Sequence, residues 1–482
     1  MNANEQKLYR LLCWLTLLIG LVCFFWGLGN IPLLSLNEAR RAIPTQAMFA
    51  SGDWLLPQLN GELYLTKPPL LYWLTTATSH LFGNVNEWSV RLPSALAAAV
   101  VVFAAYRYAL RRFGPWAALF AVQVLIANAT FARFARRAEI EMLLTALCFG
   151  ALLAALHFVQ EQTGRRWILL SYLLLGLAIL TKGPVALLFV TLPLLVYALV
   201  YRETRAWQVL RNPLGWGILL LVGSSWFLAV SLQMGFDIWQ TTVQRDIMEK
   251  VQGATSYPLL DYVLWIPGDF LPASLLLLAA PLATWRRWKS DQRLTVLMIA
   301  IAAPLLIFSV FSYKHTKYLL PIYPLLALLA GKRLGELMET ARPAWRRVLL
   351  TLGLLMPLSY AGYFAVAEAR TLEFRYVALM QFEQWIAGVR DMPVYSYIGL
   401  QERPVYYARR PIPVLDQEKL EQTRMQQPSF LLLVENDHLD AVAQVADCKV
   451  REFDPYLKRK KTLTIFGFGA ACPSPANHDK TG

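Results

Sequence analysis

The sequence predicts a polytopic α-helical membrane protein that ends in a small C-terminal α/β soluble domain, and three observations carry that prediction. The chain of 482 residues is 56% hydrophobic and only 16% charged, which is too apolar for a soluble protein of this length. Apolar runs of about 20 residues, enough to cross roughly 30 Å of hydrocarbon, recur from residue 11 to about residue 367. Beyond that point they stop.

About eleven transmembrane helices follow, at 11–29, 92–110, 116–131, 142–160, 167–181, 184–201, 214–234, 263–284, 295–311, 318–334 and 347–367. Lys7 and Arg10 before the first resemble the start of a signal peptide. Gly27 to Asn30 offers no small-x-small cleavage site, so this span reads as a retained anchor. Charge tests the map independently, because cytoplasmic loops collect Lys and Arg. One set of alternate loops holds Arg107, Arg111, Arg112, Arg165, Arg166, Arg202, Arg205, Arg211, Arg286, Arg287, Lys289, Arg293, Lys332 and Arg333; the other holds Glu38, Asp53, Glu62, Glu87, Glu139, Glu141, Asp237, Asp246, Glu249, Asp261 and Asp269. The first side is cytoplasmic and includes the N-terminus; the second is periplasmic, and an odd number of spans puts the tail there too. The net charge of +14 therefore reports topology, and no nucleic acid is implied.

Two domains are expected. Residues 1–369 form the membrane part, including an outer loop at 30–91 with surface helices near 37–50 and from Pro68-Pro69 onward, where proline suits a helix start. Residues 370–482 form the outward α/β domain, with buried strands at 393–398 and 429–434, a short helix at 436–446, a further strand at 462–466 and a flexible end from about Ser474. Cys13, Cys23 and Cys148 fall within spans and read as packing residues. For Cys448 and Cys472 in the exported tail a disulfide is chemically allowed, but its geometry is not readable from sequence. No CxxC, HExxH or His cluster points to a metal, and no cofactor is expected.

Chemistry gathers in the outer segments 30–91, 132–141, 235–262 and 312–317. Ionisable groups at membrane depth are costly, so those at span ends either pair or act. Glu38 and Arg41 have the spacing of an ordinary i,i+3 ion pair. Lys67, before Pro68-Pro69 and near Tyr72 and Trp73, could be a snorkelling lysine. Lys182, however, sits in a turn on the side that should be poor in lysine, and Lys314, Lys317, Arg133, Arg136 and Arg137 add five more cations to the same face. One partner accounts for them all: a phosphate or diphosphate at the outer membrane surface, such as a lipid phosphate. Glu38, Glu139 and Glu141 could bind sugar hydroxyls or act as a general base.

These motifs resemble the bacterial polyprenyl-phosphate-dependent glycosyltransferases related to the lipid A aminoarabinose transferase and, more distantly, the protein O-mannosyltransferases. Matching residues are Glu38, Arg40, Gly52-Asp53-Trp54, Tyr64, Lys67-Pro68-Pro69-Leu70, Arg91-Leu92-Pro93, Lys182-Gly183-Pro184 and, later, Lys317, Tyr318, Pro321 and Pro324. The resemblance spans most of 35–335. The family's acidic pair begins with Asp where this chain has Asn37, which leaves Glu38 as the first candidate catalytic carboxylate. Glu141, followed by Met-Leu, is the second. The resemblance implies a C-type glycosyltransferase fold in the bacterial inner membrane and an inverting transfer, on the periplasmic face, from an undecaprenyl-phosphate donor to a lipid or glycan acceptor, lipid A or other lipopolysaccharide first, with protein or other glycans as the alternative. Arg40, Tyr64, Lys67, Arg137, Lys182, Lys314, Lys317 and Tyr318 would bind the donor's phosphate and sugar. Membrane lipid is the other expected partner. A flippase for lipid-linked precursors predicts polar residues along the spans, whereas the acids lie in loops and tail; a purely structural protein does not predict the clustered loop motifs.

Overall fold

Twenty α-helices and seven strands are seen in the computed structural model, which describes residues 2–161, 164–244, 257–275, 291–311, 313–454 and 462–472. The helices are α1 (Ala3–Phe25), α2 (Leu36–Ser51), α3 (Leu70–Phe82), α4 (Glu87–Phe113), α5 (Pro115–Ile126), α6 (Ala129–Ala135), α7 (Ile140–Glu161), α8 (Arg166–Lys182), α9 (Leu187–Tyr201), α10 (Thr204–Leu210) and α11 (Pro213–Met234). After them come α12 (Asp261–Asp269), α13 (Gln292–Val310), α14 (Tyr323–Thr340), α15 (Pro343–Gly362), α16 (Glu368–Leu372), α17 (Val377–Gly388), α18 (Glu402–Ala408), α19 (Gln417–Gln426) and α20 (Leu439–Ala443). The strands are β1 (Gln58–Leu59), β2 (Glu62–Leu63), β3 (Val394–Tyr397), β4 (Val414–Leu415), β5 (Ser429–Glu435), β6 (Cys448–Phe453) and β7 (Leu463–Gly469).

Every span expected from hydropathy coincides with a helix, although the one at 263–284 is described only to residue 275. Seven of the described helices are long and apolar enough to cross a membrane, or eight if the bent pair α5 and α6 counts as one span. That pair corrects the single helix expected at 116–131: the two pieces meet at 70°. Asn128 causes the break. Its side chain accepts from Phe131 N at 2.8 Å, capping α6, and donates to Asp269 O at 2.8 Å, so it serves a new helix start instead of continuing the old one. Lipid exposure is plain in α1, which buries Leu12, Thr16, Ile19 and Cys23 at helical spacing and exposes Trp14, Leu17, Leu18 and Leu21. An apolar stripe of that size is stable against acyl chains and not against water. The chain is a multi-pass membrane protein.

Residues 1–28, 65–78 and 88–366 form one compact unit. At its centre α5 is buried almost throughout from Trp116 to Ile126, with Gln123 its one polar side chain, and is packed against α14. Gly331 and Gly335, one turn apart on α14, face Ala117 and Ala121 of α5, a small-xxx-small contact that brings two backbones together. Two arginines of the outer segments close the end of α1 instead of facing solvent. Arg136 donates to Cys23 O and Trp26 O at 3.2 and 2.8 Å, and Arg91 donates to Leu28 O at 2.8 Å, satisfying carbonyls that a helix terminus leaves without partners.

The second compact unit comprises 29–64, 79–87 and 367–482, so most of the first outer loop folds with the tail. Its five-stranded sheet has the order β4-β3-β5-β7-β6, with β4, β3 and β5 parallel and β7 and β6 antiparallel. The expected strands appear as β3, β5 and β7; β4 and β6 are additions. β6 is one of the two edge strands, and its exposed Lys449, Arg451 and Glu452 mask its strand character in the sequence while guarding the edge. The loop is stitched to the tail: Leu33 N donates to Tyr407 Oη at 2.7 Å, Gln46 Nε2 to Tyr406 O at 3.0 Å, and Asn60 both donates to and accepts from the Ile412 backbone at 2.8 and 2.7 Å. The end beyond Ser474 and the basic residues Arg286, Arg287 and Lys289 lie outside the described residues, as do Asp246 and Glu249.

Cys448 and Cys472 are joined in a disulfide that closes a loop with a sequence separation of 24. Replacing both by serine is expected to cost the tail about 3 kcal/mol through the released loop. Thermal unfolding of the variant beside the wild type, each with and without reductant, checks this; equal transitions in all four samples would refute it.

Candidate active site

The best-defined chemical cluster is built on the start of α7. Glu139 precedes that helix and Glu141 lies in its first turn, where unsatisfied N–H groups and the helix dipole favour negative charge. Both carboxylates are almost fully buried, with side chains 3% and 5% exposed. Charges taken from water at that depth need partners. Lys317 Nζ supplies one to each, 3.4 Å from Glu139 Oε2 and 3.7 Å from Glu141 Oε1. Lys182 Nζ, at the end of α8, stands 3.3 Å from Glu141 Oε1 and 4.8 Å from the centre of the Tyr318 ring. Arg137 Nη1 is 3.6 Å from Glu139 Oε1. Lys67 is close enough to Lys182 to repel it electrostatically.

Among the contacts of these described residues, three cations meet two carboxylates, with a fourth cation nearby. Such a site neutralises its own acids and still attracts an anion. Lys317 is fixed by its neighbours. The Tyr262 hydroxyl donates to His315 O and accepts from His315 N, both at 3.1 Å, and His315 Nδ1 accepts from Lys317 N at 3.4 Å. Burial, aided by the Lys317 charge, pushes the His315 imidazole down to about 4 from 6.5. His315 is therefore neutral in the folded chain at pH 7. As pH falls from about 6.5 towards 4, the unfolded chain takes up this proton first and stability falls.

Other expected residues are placed differently. Lys314 donates to Phe311 O at 2.7 Å and Tyr257 O at 3.3 Å, capping the end of α13. Glu38, 2% exposed, Arg40 and Tyr64 belong to the second unit. There Arg40 pairs with Glu402, its Nε 2.7 Å from Oε1, and Tyr64 accepts from Arg41 Nη1 at 3.3 Å. The sequence gives no sign of Glu402, whose partner lies hundreds of residues away. Asp269 also escapes a sequence reading: its Oδ2 accepts from Tyr323 Oη at 2.6 Å and Thr130 Oγ1 at 2.9 Å. Glu139 was open to such a reading, and its pairing with Lys317 and Arg137 puts it beside Glu141. Among the described residues no three His, Cys, Asp or Glu side chains converge to hold a metal ion.

Two family descriptions match the chain: dolichyl-phosphate-mannose-protein mannosyltransferase over residues 66–232 and the Alg9-like mannosyltransferase family over 256–388. An undecaprenyl phosphate-α-4-amino-4-deoxy-L-arabinose arabinosyl transferase of Pseudomonas aeruginosa (strain UCBPP-PA14) is 32% identical over 376 residues, 74% of this chain and 66% of that protein. The chain is related to these aminoarabinose transferases. The corresponding protein of Aeromonas salmonicida is 29% identical over 352 residues, 70% of this chain and 62% of its own length; the chain spans slightly less than two thirds of these relatives. The crystal structure of ArnT from Cupriavidus metallidurans in the apo state has a TM-score of 0.82 at 22% identity, covering 98% of this chain and 100% of that one. A second structure of the same protein, bound to undecaprenyl phosphate, scores 0.78. The fold is the expected C-type glycosyltransferase fold.

Proposed function

We propose that the chain transfers a sugar from an undecaprenyl-phosphate donor to lipid A or another lipopolysaccharide acceptor, at the periplasmic face of a bacterial inner membrane, with its N-terminus cytoplasmic and its tail periplasmic. The observation that carries this reading is the buried, positively biased cluster of Lys182, Lys317, Glu139 and Glu141, with Lys67 close by. The relatives named as aminoarabinose transferases support the sugar and the carrier.

In this reading Lys67, Lys182 and Lys317 hold the donor phosphate. When the bond between the anomeric carbon and the phosphate oxygen breaks, negative charge builds on that oxygen, and preorganised ammonium groups stabilise it. The acceptor oxygen attacks from the opposite face, so the anomeric centre inverts. Glu141 or Glu38 orients the acceptor. An acceptor that is itself a phosphate arrives ionised and requires no strong general base, which suits an Asn at position 37. Arg137 and Tyr318 support the site through Glu139 and Lys182. Arg40, Tyr64 and Lys314 are engaged with Glu402, Arg41 and backbone carbonyls, so a donor contact would require them to exchange partners.

Deletion of the gene followed by mass spectrometry of lipid A and whole lipopolysaccharide tests the proposal. A sugar-sized loss is expected, restored by wild type and not by Lys67→Ala. No difference in either fraction would reject this acceptor, and a lipid-linked sugar accumulating only on the cytoplasmic face would favour a flippase.

A further inference from the structure

The tail sheet carries a cavity that the donor chemistry does not use. β3 pairs in parallel with β4 on one side and β5 on the other. The chain leaves β3 through α18 to reach β4, then returns through α19 past β3 to β5. The direction of winding therefore reverses between β3 and β5. In open α/β sheets such a reversal leaves a crevice beyond the carboxyl ends of the strands, where ligands bind. A cavity of ≈ 380 Å³ lies at this point. It is lined by Ile398 to Glu402 after β3, by Glu435, Asp437 and His438 after β5, and by Leu36 and Arg40 of α2.

The lining has features of a binding site. Ile398 adopts φ 58°, a left-handed conformation that a β-branched residue enters only at a cost of roughly 1–3 kcal/mol. Its N–H is held by Leu415 O at 2.8 Å, while its side chain stands 52% exposed beside Leu36, 39% exposed. An apolar edge therefore borders a polar floor. Three carboxylates, Glu402, Glu435 and Asp437, line it together with the Arg40 guanidinium, which engages Glu402, and Glu435 accepts from Gln401 N at 3.4 Å. Asp437 is exposed and makes no hydrogen bond or ion pair among the described residues. That balance repels phosphate and suits hydroxyl or ammonium donors, since ionised carboxylates only accept. A sugar ring offers both needed surfaces, a C–H face for Ile398 and Leu36 and a rim of donors for the carboxylates.

We propose that this cavity binds a neutral or amine-bearing saccharide, the sugar portion of the acceptor, with Asp437 as a principal contact. Its assignment to the acceptor rests on the transferase reading; its binding of saccharide does not. The test uses the full chain in lipid nanodiscs with D-glucosamine as the probe, observed by saturation-transfer difference NMR. Ring-proton signals are expected from the wild type and from Asp440→Lys, a change outside the cavity. They should weaken about tenfold in Asp437→Asn, the worth of one charge-assisted hydrogen bond, and vanish in Asp437→Lys. In a transfer assay the same variants should raise the KM for a saccharide acceptor about tenfold or more, with kcat and donor KM unchanged. Absence of wild-type signals, or signals and KM indifferent to Asp437, would overturn the site. Signals that depend on Asp437 in a chain without transferase activity would overturn the transferase reading and leave the saccharide site standing.

Discussion

Lys317→Ala is expected to abolish turnover and to destabilise the fold at once, because this one ammonium serves two buried acids. Removing it leaves Glu139 and Glu141 with Arg137 and Lys182 as their remaining cations in this cluster. Breaking a buried pair by deleting one partner typically costs about 3–5 kcal/mol. Loss of a preorganised donor at the reacting phosphate should lower kcat by about 100-fold or more. The two effects are separable. Adding Glu139→Gln to Lys317→Ala neutralises the acid left with only the half-exposed Arg137 in this cluster and keeps the Glu141–Lys182 pair, so stability should recover while turnover does not. Sugar transfer in detergent and the melting temperature, measured on the same preparations, read both; a Lys317→Ala enzyme within tenfold of wild-type kcat would remove Lys317 from the donor site.

Gly331→Val is expected to have the largest purely structural effect. A Cβ at Gly331 would sit 2.5 Å from Ala121 N and 2.6 Å from Ala117 O, backbone atoms of a buried helix that has no room to retreat. Overpacking of this kind costs about 3 kcal/mol, and in a membrane it separates helices whose attraction depends on close approach. The variant should melt about 5 °C or more below the wild type. Gly217→Val provides the control, since nothing lies within 4 Å of a Cβ there. Equal melting temperatures for the two variants would contradict the α5–α14 packing.

The membrane helices were legible because hydrocarbon imposes a length and a composition that short windows detect. Strands β3, β5 and β7 were legible for a related reason, their interiors being nearly all apolar. β4, with two residues, and the charged edge strand β6 carry no such pattern. For the candidate site, residue type singled out the charged groups but said nothing of their partners. Lys182 and Lys317 join the carboxylates of α7, whereas Lys314 and Arg136, equally basic and close in sequence, close helix ends. Arg40 finds Glu402 because the fold brings α2 onto α18. Such pairings are set by tertiary packing, which leaves no local trace in composition.

The stitching of the first outer loop to the tail bears on how these proteins can be recombined. A chimera that exchanged only residues 370–482 with a relative would separate Leu33 from Tyr407, Arg40 from Glu402 and Asn60 from Ile412, leaving both halves with polar groups shaped for absent neighbours. The transferable cassette is discontinuous: tail and residues 29–64 and 79–87 have to travel together.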